Sequence, residues 1–254
     1  LTTAGLTLVD NSGLASNYLI SSATANINQR PLNLSGSRAY DATRTASGSD
    51  LNFTNIVSGQ TLGLTGSGVL GSPAAGDQTI VNVNTLAIAD GSGSASNYTL
   101  TNGTLTMTIV PRSTTVTGTK TYDGTTTIRP ENLTSFSNLA GSDTLSLTGT
   151  GTISSVDVGT GKSVNTLGLT IDNSSGVGSN YTLSAATVNV TERVINLNGL
   201  RAFDGTNNVS NTDINIGNLV GGENLTLSGS GTVSNATVEM NKTITLGSLT
   251  ISNG

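Results

Sequence analysis

The sequence predicts an all-β protein built from tandem small modules, and three observations predict it. Leu, Val, Ile and Ala alternate with Thr, Ser and Asn along most of the chain, which is the period-two signature of strands. No segment sustains the 3.6-residue period of an amphipathic helix. Three separate sequence anchors recur in one fixed order about every 81 residues, the mark of a repeat architecture. The modules read as β-sandwich-like or β-grasp-like units in an elongated array. A β-helix is the alternative, but its short coils would need a sub-period that the unit lacks.

Asn-Tyr is the first anchor, at Asn17-Tyr18, Asn97-Tyr98 and Asn180-Tyr181. The second is Arg38 to Asp41, recurring as Lys120 to Gly124 and as Arg201 to Gly205. Leu62 to Gly68, Leu145 to Gly151 and Leu225 to Gly231 form the third. All eight aromatic residues fall into three columns: Tyr18, Tyr98, Tyr181; Tyr40, Tyr122, Phe203; and Phe53, Phe136, with Ile216 in the last place. Rings used so sparingly and so regularly read as core anchors. The frame divides the chain into residues 1–29, the closing strands of a preceding unit; 30–111, repeat 1; 112–192, repeat 2; and 193–254, repeat 3, which stops short. The strand-like run already under way at Leu1 reads as the inside of a longer array.

Repeat 2 shows the elements in order. Thr114 and Val116 alternate with polar neighbours until Gly118. Tyr122-Asp123-Gly124 is a turn, with Asp able to bond the backbone ahead and Gly free to take positive φ. The less regular stretch Glu131–Ser137 admits a short helical turn. Gly141-Ser142-Asp143 is another turn, and Thr144–Thr150 alternates cleanly. Val156–Gly161 reads as a loop. Val164, Leu167, Leu169 and Ile171 mark the next strand region. Asp172–Gly176 is a turn, and Tyr181–Val190 alternates again. That makes six or seven strands per unit.

Composition excludes several chemistries. The chain has no Cys, His or Trp, so zinc sites, disulfides, haem ligation and Ser-His-Asp triads lack their residues. Ten Lys and Arg against fifteen Asp and Glu leave a net charge of −5, with no basic field for nucleic acid. No apolar run approaches the roughly 20 residues of a membrane span. Neither charge nor proline is high enough to suggest disorder.

The run Val116 to Thr126 around Tyr122-Asp123-Gly124, followed by Leu145 to Gly151, Gly159 to Lys162 and Asn180 to Leu183, resembles the YDG repeat family. The resemblance extends over essentially the whole chain. It implies an exported, extended, repetitive β protein of the kind found in large filamentous-haemagglutinin-like bacterial adhesins of two-partner secretion. It implies no reaction. Ala42 stands where the motif has Gly, and Phe203 where it has Tyr; both suit a structural turn and neither suits a catalytic signature.

The candidate residues are therefore structural: Tyr40, Asp41, Tyr122, Asp123, Gly124, Phe203, Asp204, Gly205, Tyr18, Tyr98 and Tyr181. The recurring Asp is expected to cap its turn, beside a basic residue three positions earlier. Asp90 to Ser94 and Asp172 to Ser174 look like calcium loops but lack the carboxylates that calcium prefers. An intramolecular Lys–Asn bond through Lys162 or Lys242 is weakened by Gln78 at the same place in repeat 1. Asn-X-Ser/Thr sequons barely exceed what this composition gives by chance.

No catalytic residue, cofactor or metal is expected. The expected function is a stalk or filament segment outside a bacterial cell, and the rival is a glycan-binding module using Tyr18, Tyr98 or Tyr181. Partners are neighbouring repeats and other copies of the chain, because charges are too sparse to guard every open strand edge. Residues 1–29 correspond to the strands that repeat 3 lacks. Head-to-tail joining of chains and a window cut from a longer array both fit that correspondence.

Overall fold

The computed structural model describes residues 5–253. The fold is all-β, and the described residues contain no α-helix. The chain divides into two compact units, Leu1–Pro111 and Arg112–Gly254. The first holds repeat 1; the second holds repeats 2 and 3.

Repeat 2 is the clearest example. Its first strand, Arg112–Thr121, pairs in parallel with its last, Tyr181–Thr191, from Arg112 opposite Tyr181 to Thr121 opposite Thr191. Leu133–Ser137 adds antiparallel to the first strand, and Gly159–Ser163 antiparallel to the last. The result is a four-stranded mixed sheet with the parallel pair at its centre. That central pair, made of the first and last strands, is the β-grasp-like feature. Two ribbons supply a second layer: Thr127–Ile128 with Gly151–Thr152, and Leu145–Gly149 with Leu169–Asn173. Val116, Leu133, Val188 and Val190 from the sheet pack with Ile128, Leu147, Ile153 and Leu169 from the ribbon side. The period-two pattern is thus explained: one side of each strand faces this core and the other faces water.

The Leu-Thr-Gly anchor has a backbone cause. Gly149 has φ +83°, and a Cβ there would lie 2.0 Å from the Gly168 carbonyl. Gly66 and Gly229 repeat both features against Thr85 and Ser248. Only glycine accepts that conformation and that approach together.

Repeat 1 builds the same centre within the first unit. Thr106–Val110 runs parallel to Leu34–Ala39 and antiparallel to Gly76–Asn82. Leu34, Leu70, Met107 and Ile109 are fully buried there. In repeat 3 the described strands are Asn196–Gly199 with Ile214–Gly217, Asn208–Ser210 with Ser230–Thr232, and Leu225–Ser228 with Thr250–Asn253. Among the described residues, repeat 3 has no strand parallel to its first, and residues 239–243 form no counterpart of Gly159–Ser163.

Several sequence expectations need correction. Residues 1–29 were expected to form strands; among the described ones, 5–29, the sole regular element is a 3-10 turn, Ala15–Asn17. Alternation makes a segment fit to be a strand, but it becomes one only beside a partner. Part of the expected loop Val156–Gly161 belongs to the strand Gly159–Ser163, held by Tyr181–Thr191. Leu167, expected in a strand, is exposed on a turn before Leu169. Repeat 2 has eight strands. The one helical turn expected at Glu131–Ser137 is a 3-10 turn at Pro130–Asn132 followed directly by a strand, and five more such turns occur among the described residues.

Candidate functional site

The recurring Asp of the second anchor makes one turn three times. Asp123 Oδ1 accepts from the Thr125 amide and hydroxyl, both at 2.9 Å. Asp41 does the same with Thr43, and Asp204 with Thr206. The turn needs a left-handed residue next, at Ala42 (φ 65°), Gly124 (φ 74°) and Gly205 (φ 77°). The basic residue three positions earlier closes it. Lys120, with only 4% of its side chain exposed, lies 2.8 Å from Asp123 and donates to the carbonyls of Thr125 and Thr127. Arg38 and Arg201 pair with Asp41 and Asp204 in the same way.

These contacts set the titration of the acids. Burial pushes the Asp123 carboxyl up, but Lys120 and the Thr125 donors outweigh it and hold it below the usual range. Asp41 behaves likewise through Thr43 and Arg38. The Thr206 amide is the main cause holding Asp204 down, helped by Arg201.

The turn of repeat 2 leads onto repeat 3. Tyr122 donates its hydroxyl proton to Glu223 Oε1. A Cβ on Gly124 would lie 2.6 Å from Val220 Cγ1, so the motif glycine sits flat against the next repeat. Tyr122, Val158, Ile195, Leu219, Val220 and Leu225 line a shallow apolar cleft at this joint, edged by Glu192, Arg193 and Glu223. The hydrogen bond to Glu223 raises the Tyr122 pKa, with desolvation and the charges of Glu223, Asp157 and Asp123 adding to it. A tyrosine acting as base or nucleophile needs the opposite shift. The arrangement is a latch.

The Asn-Tyr rings close their own repeats. Tyr181 is buried, donates to Asp143 Oδ2 at 2.7 Å and accepts from the Ala140 amide at 3.0 Å. Tyr98, also buried, donates to Gln60. Neither complete repeat therefore leaves its Asn-Tyr ring face open to a sugar. Tyr40 is buried as well, whereas Tyr18 is 71% and Phe203 68% exposed. Those two rings were expected in cores, and the structure leaves both exposed.

Two sets of partners escaped sequence reasoning. Gln60, Asp143 and Glu223 are equivalent acceptors, each two residues before the Leu of the third anchor, a spacing that could have revealed them. Arg30, Arg112 and Arg193 open the repeats and each donates through Nε to the carbonyl of Asn55, Asn138 or Asn218. The calcium-like loops have another use. Asp90 Oδ1 accepts from the Ala95 amide at 2.7 Å, and Asn173 Oδ1 does the same for Gly178. An uncharged Asn serving equally well marks a cap and not a cation ligand. Among the described residues no group of three or more acids could hold a metal. No described helix is long and apolar enough to cross a membrane. Lys242 Nζ lies 2.7 Å from Asn235 Oδ1, but it also bonds the Asn235 and Thr237 carbonyls in an exposed loop. It acts there as a loop clip.

Repeats 1 and 2, each centred on a parallel strand pair, and repeat 3, joined to repeat 2 through Tyr122 and Glu223, define a tandem-repeat β protein. The YDG domain sequence model matches residues 26–108, 104–189 and 191–254. The chain belongs to the YDG domain family. No curated protein and no solved structure matches it.

Proposed function

We propose that this chain is a structural repeat segment of an extracellular bacterial adhesin or fibre, serving as stalk and interaction surface without catalysis. One observation carries the reading: in repeat 2 the recurring motifs are used in closing the repeat or latching it to repeat 3. Asp123 and Lys120 shape the turn, Tyr122 and Gly124 meet repeat 3, and Tyr181 seals its own core. Low charge and short connections such as Thr191-Glu192-Arg193 suit a stiff array. The glycan reading is left with Tyr18, a lone exposed ring on a segment without strands.

Two experiments test this. Protease treatment of intact source cells should release fragments of the protein, and its retention inside resistant cells would refute the surface assignment. Tyr122→Phe should loosen the joint between repeats 2 and 3, at a cost of about 0.5–1.5 kcal/mol in a double-mutant cycle with Glu223→Gln. Zero coupling would remove the latch.

A further inference from the structure

In the run Tyr122-Asp123-Gly124 the residues alternate in direction. Asp123 turns back to Thr125 and Lys120 of its own repeat, whereas Tyr122 and Gly124 face repeat 3. Repeat 3 meets them with one four-residue turn, Val220-Gly221-Gly222-Glu223, closed by the Glu223 amide donating to the Val220 carbonyl at 3.1 Å. The first residue of that turn stands over Gly124, and the last accepts from the Tyr122 hydroxyl. Contacts at both ends of one small turn fix the rotation of repeat 3 as well as its place; a single contact would act as a pivot.

We propose that Gly124 and Val220 form a size-matched selectivity contact. The turn face of repeat 2 takes as its neighbour a repeat whose own turn opens on a branched side chain and closes on a hydrogen-bond acceptor. A Cβ on that face excludes such a neighbour. The same turn occurs in every repeat with different side chains at its two ends. The Gln60 amide donates to the Val57 carbonyl at 3.1 Å, and the Asp143 amide to the Ala140 carbonyl at 3.0 Å. The opening residue is thus Val57, Ala140 or Val220, and the closing acceptor is Gln60, Asp143 or Glu223. The left-handed residue of the Asp turn is Ala42, Gly124 or Gly205. Side-chain size therefore varies at both positions while each turn keeps its backbone form.

Backbone conformation does not by itself account for Gly124. Ala42 holds φ 65° with a Cβ in place, so the turn admits an L-residue. Gly205 holds φ 77°, and a Cβ there would meet nothing within 4 Å. At Gly124 the same Cβ would lie 2.6 Å from Val220 Cγ1 and 3.6 Å from Val220 Cβ. Valine is stiff about χ1, so its methyl does not swing aside as the end of a long side chain does. Val220 also lines the apolar cleft that holds Tyr122, Val158, Ile195 and Leu219, so displacing it disturbs the rest of the joint. A turn that opened on alanine would remove the clash, and with it the contact for which Gly124 makes room. Which repeat can follow repeat 2 then depends on a single carbon atom.

The test uses the full 254-residue chain and is independent of where the protein acts. Unfolding in denaturant is compared for Gly124→Ala, Gly205→Ala, Val220→Ala and the double variant Gly124→Ala/Val220→Ala. Gly205→Ala measures the cost of alanine in this turn with open space around it. Gly124→Ala should lower the folding equilibrium constant about tenfold or more beyond that cost, as overpacking a close contact does. Adding Gly124→Ala to Val220→Ala should cost no more than Gly205→Ala, since the double variant has lost the clash. Equal losses from Gly124→Ala and Gly205→Ala would overturn the proposal, and so would a loss that Val220→Ala does not relieve. Should Gly124→Ala fail to fold, a folded double variant supports the size match and an unfolded one overturns it.

Discussion

Repeats 2 and 3 carry nearly the same motifs and, among the described residues, differ by two strands, Gly159–Ser163 and Tyr181–Thr191, which repeat 3 lacks. In repeat 2 the first strand runs ten residues, Arg112–Thr121, against an eleven-residue partner; in repeat 3 it runs four, Asn196–Gly199. The Asp turn forms in both, as do the ribbons. The local devices thus survive without the closing strand, and the length of the sheet and the dryness of the core do not. Val116 is fully buried where Leu197 is half-buried, and the Lys120 side chain is 4% exposed where that of Arg201 is 19% exposed. Turn chemistry is encoded within a few residues. Sheet closure depends on a segment about 70 residues further along.

The largest effect should come from the cores. Leu147 is buried and its counterpart Leu227 is half-buried. Leu147→Ala should cost about 2–5 kcal/mol, and Leu227→Ala less than half of that, by denaturant unfolding. Equal costs would break the comparison. Next come the clamps. Lys120→Met should cost about 1–3 kcal/mol by leaving Asp123 and the part-buried Thr125 and Thr127 carbonyls without their donor, and Arg201→Met distinctly less, since its site is wetter.

A smaller effect of opposite sign is expected at Ala42. An L-residue in the left-handed region costs about 1–2 kcal/mol, and glycine returns part of that as chain entropy of about 0.5–1 kcal/mol. Ala42→Gly should therefore stabilise repeat 1 by under about 1 kcal/mol, and Gly124→Ala should destabilise repeat 2.

The smallest effect is acid lability. Asp41, Asp123 and Asp204 titrate below the ordinary carboxylate range when folded. Their contribution is present above the unfolded value of about 3.9 and is lost as pH falls through the lower folded values. Exposure keeps each contribution modest. Asp123→Asn should flatten the fall in melting temperature below about pH 4, and an unchanged acid profile would count against the turn assignment.

Sequence made legible whatever recurs in kind and spacing. The three aromatic columns, the Asp turns and the period are such features. The parallel pairing of Arg112–Thr121 with Tyr181–Thr191 was not legible, because alternation says that a segment suits a sheet and nothing about its partner. The same gap made residues 1–29 read as strands. The acceptor column was hidden by its changing identity, since Gln60, Asp143 and Glu223 share a function and not a residue type. Glu131–Ser137 misled because a three-residue turn and the strand after it blur into one irregular stretch.

Amide hydrogen exchange on the chain with residues 174–191 appended after Asn253 tests most directly whether the closing strand makes the repeat. The account predicts that amides in 195–201 and 239–243 slow to the rates of 114–120 and 159–163. Rates unchanged from those of the 254-residue chain would contradict it.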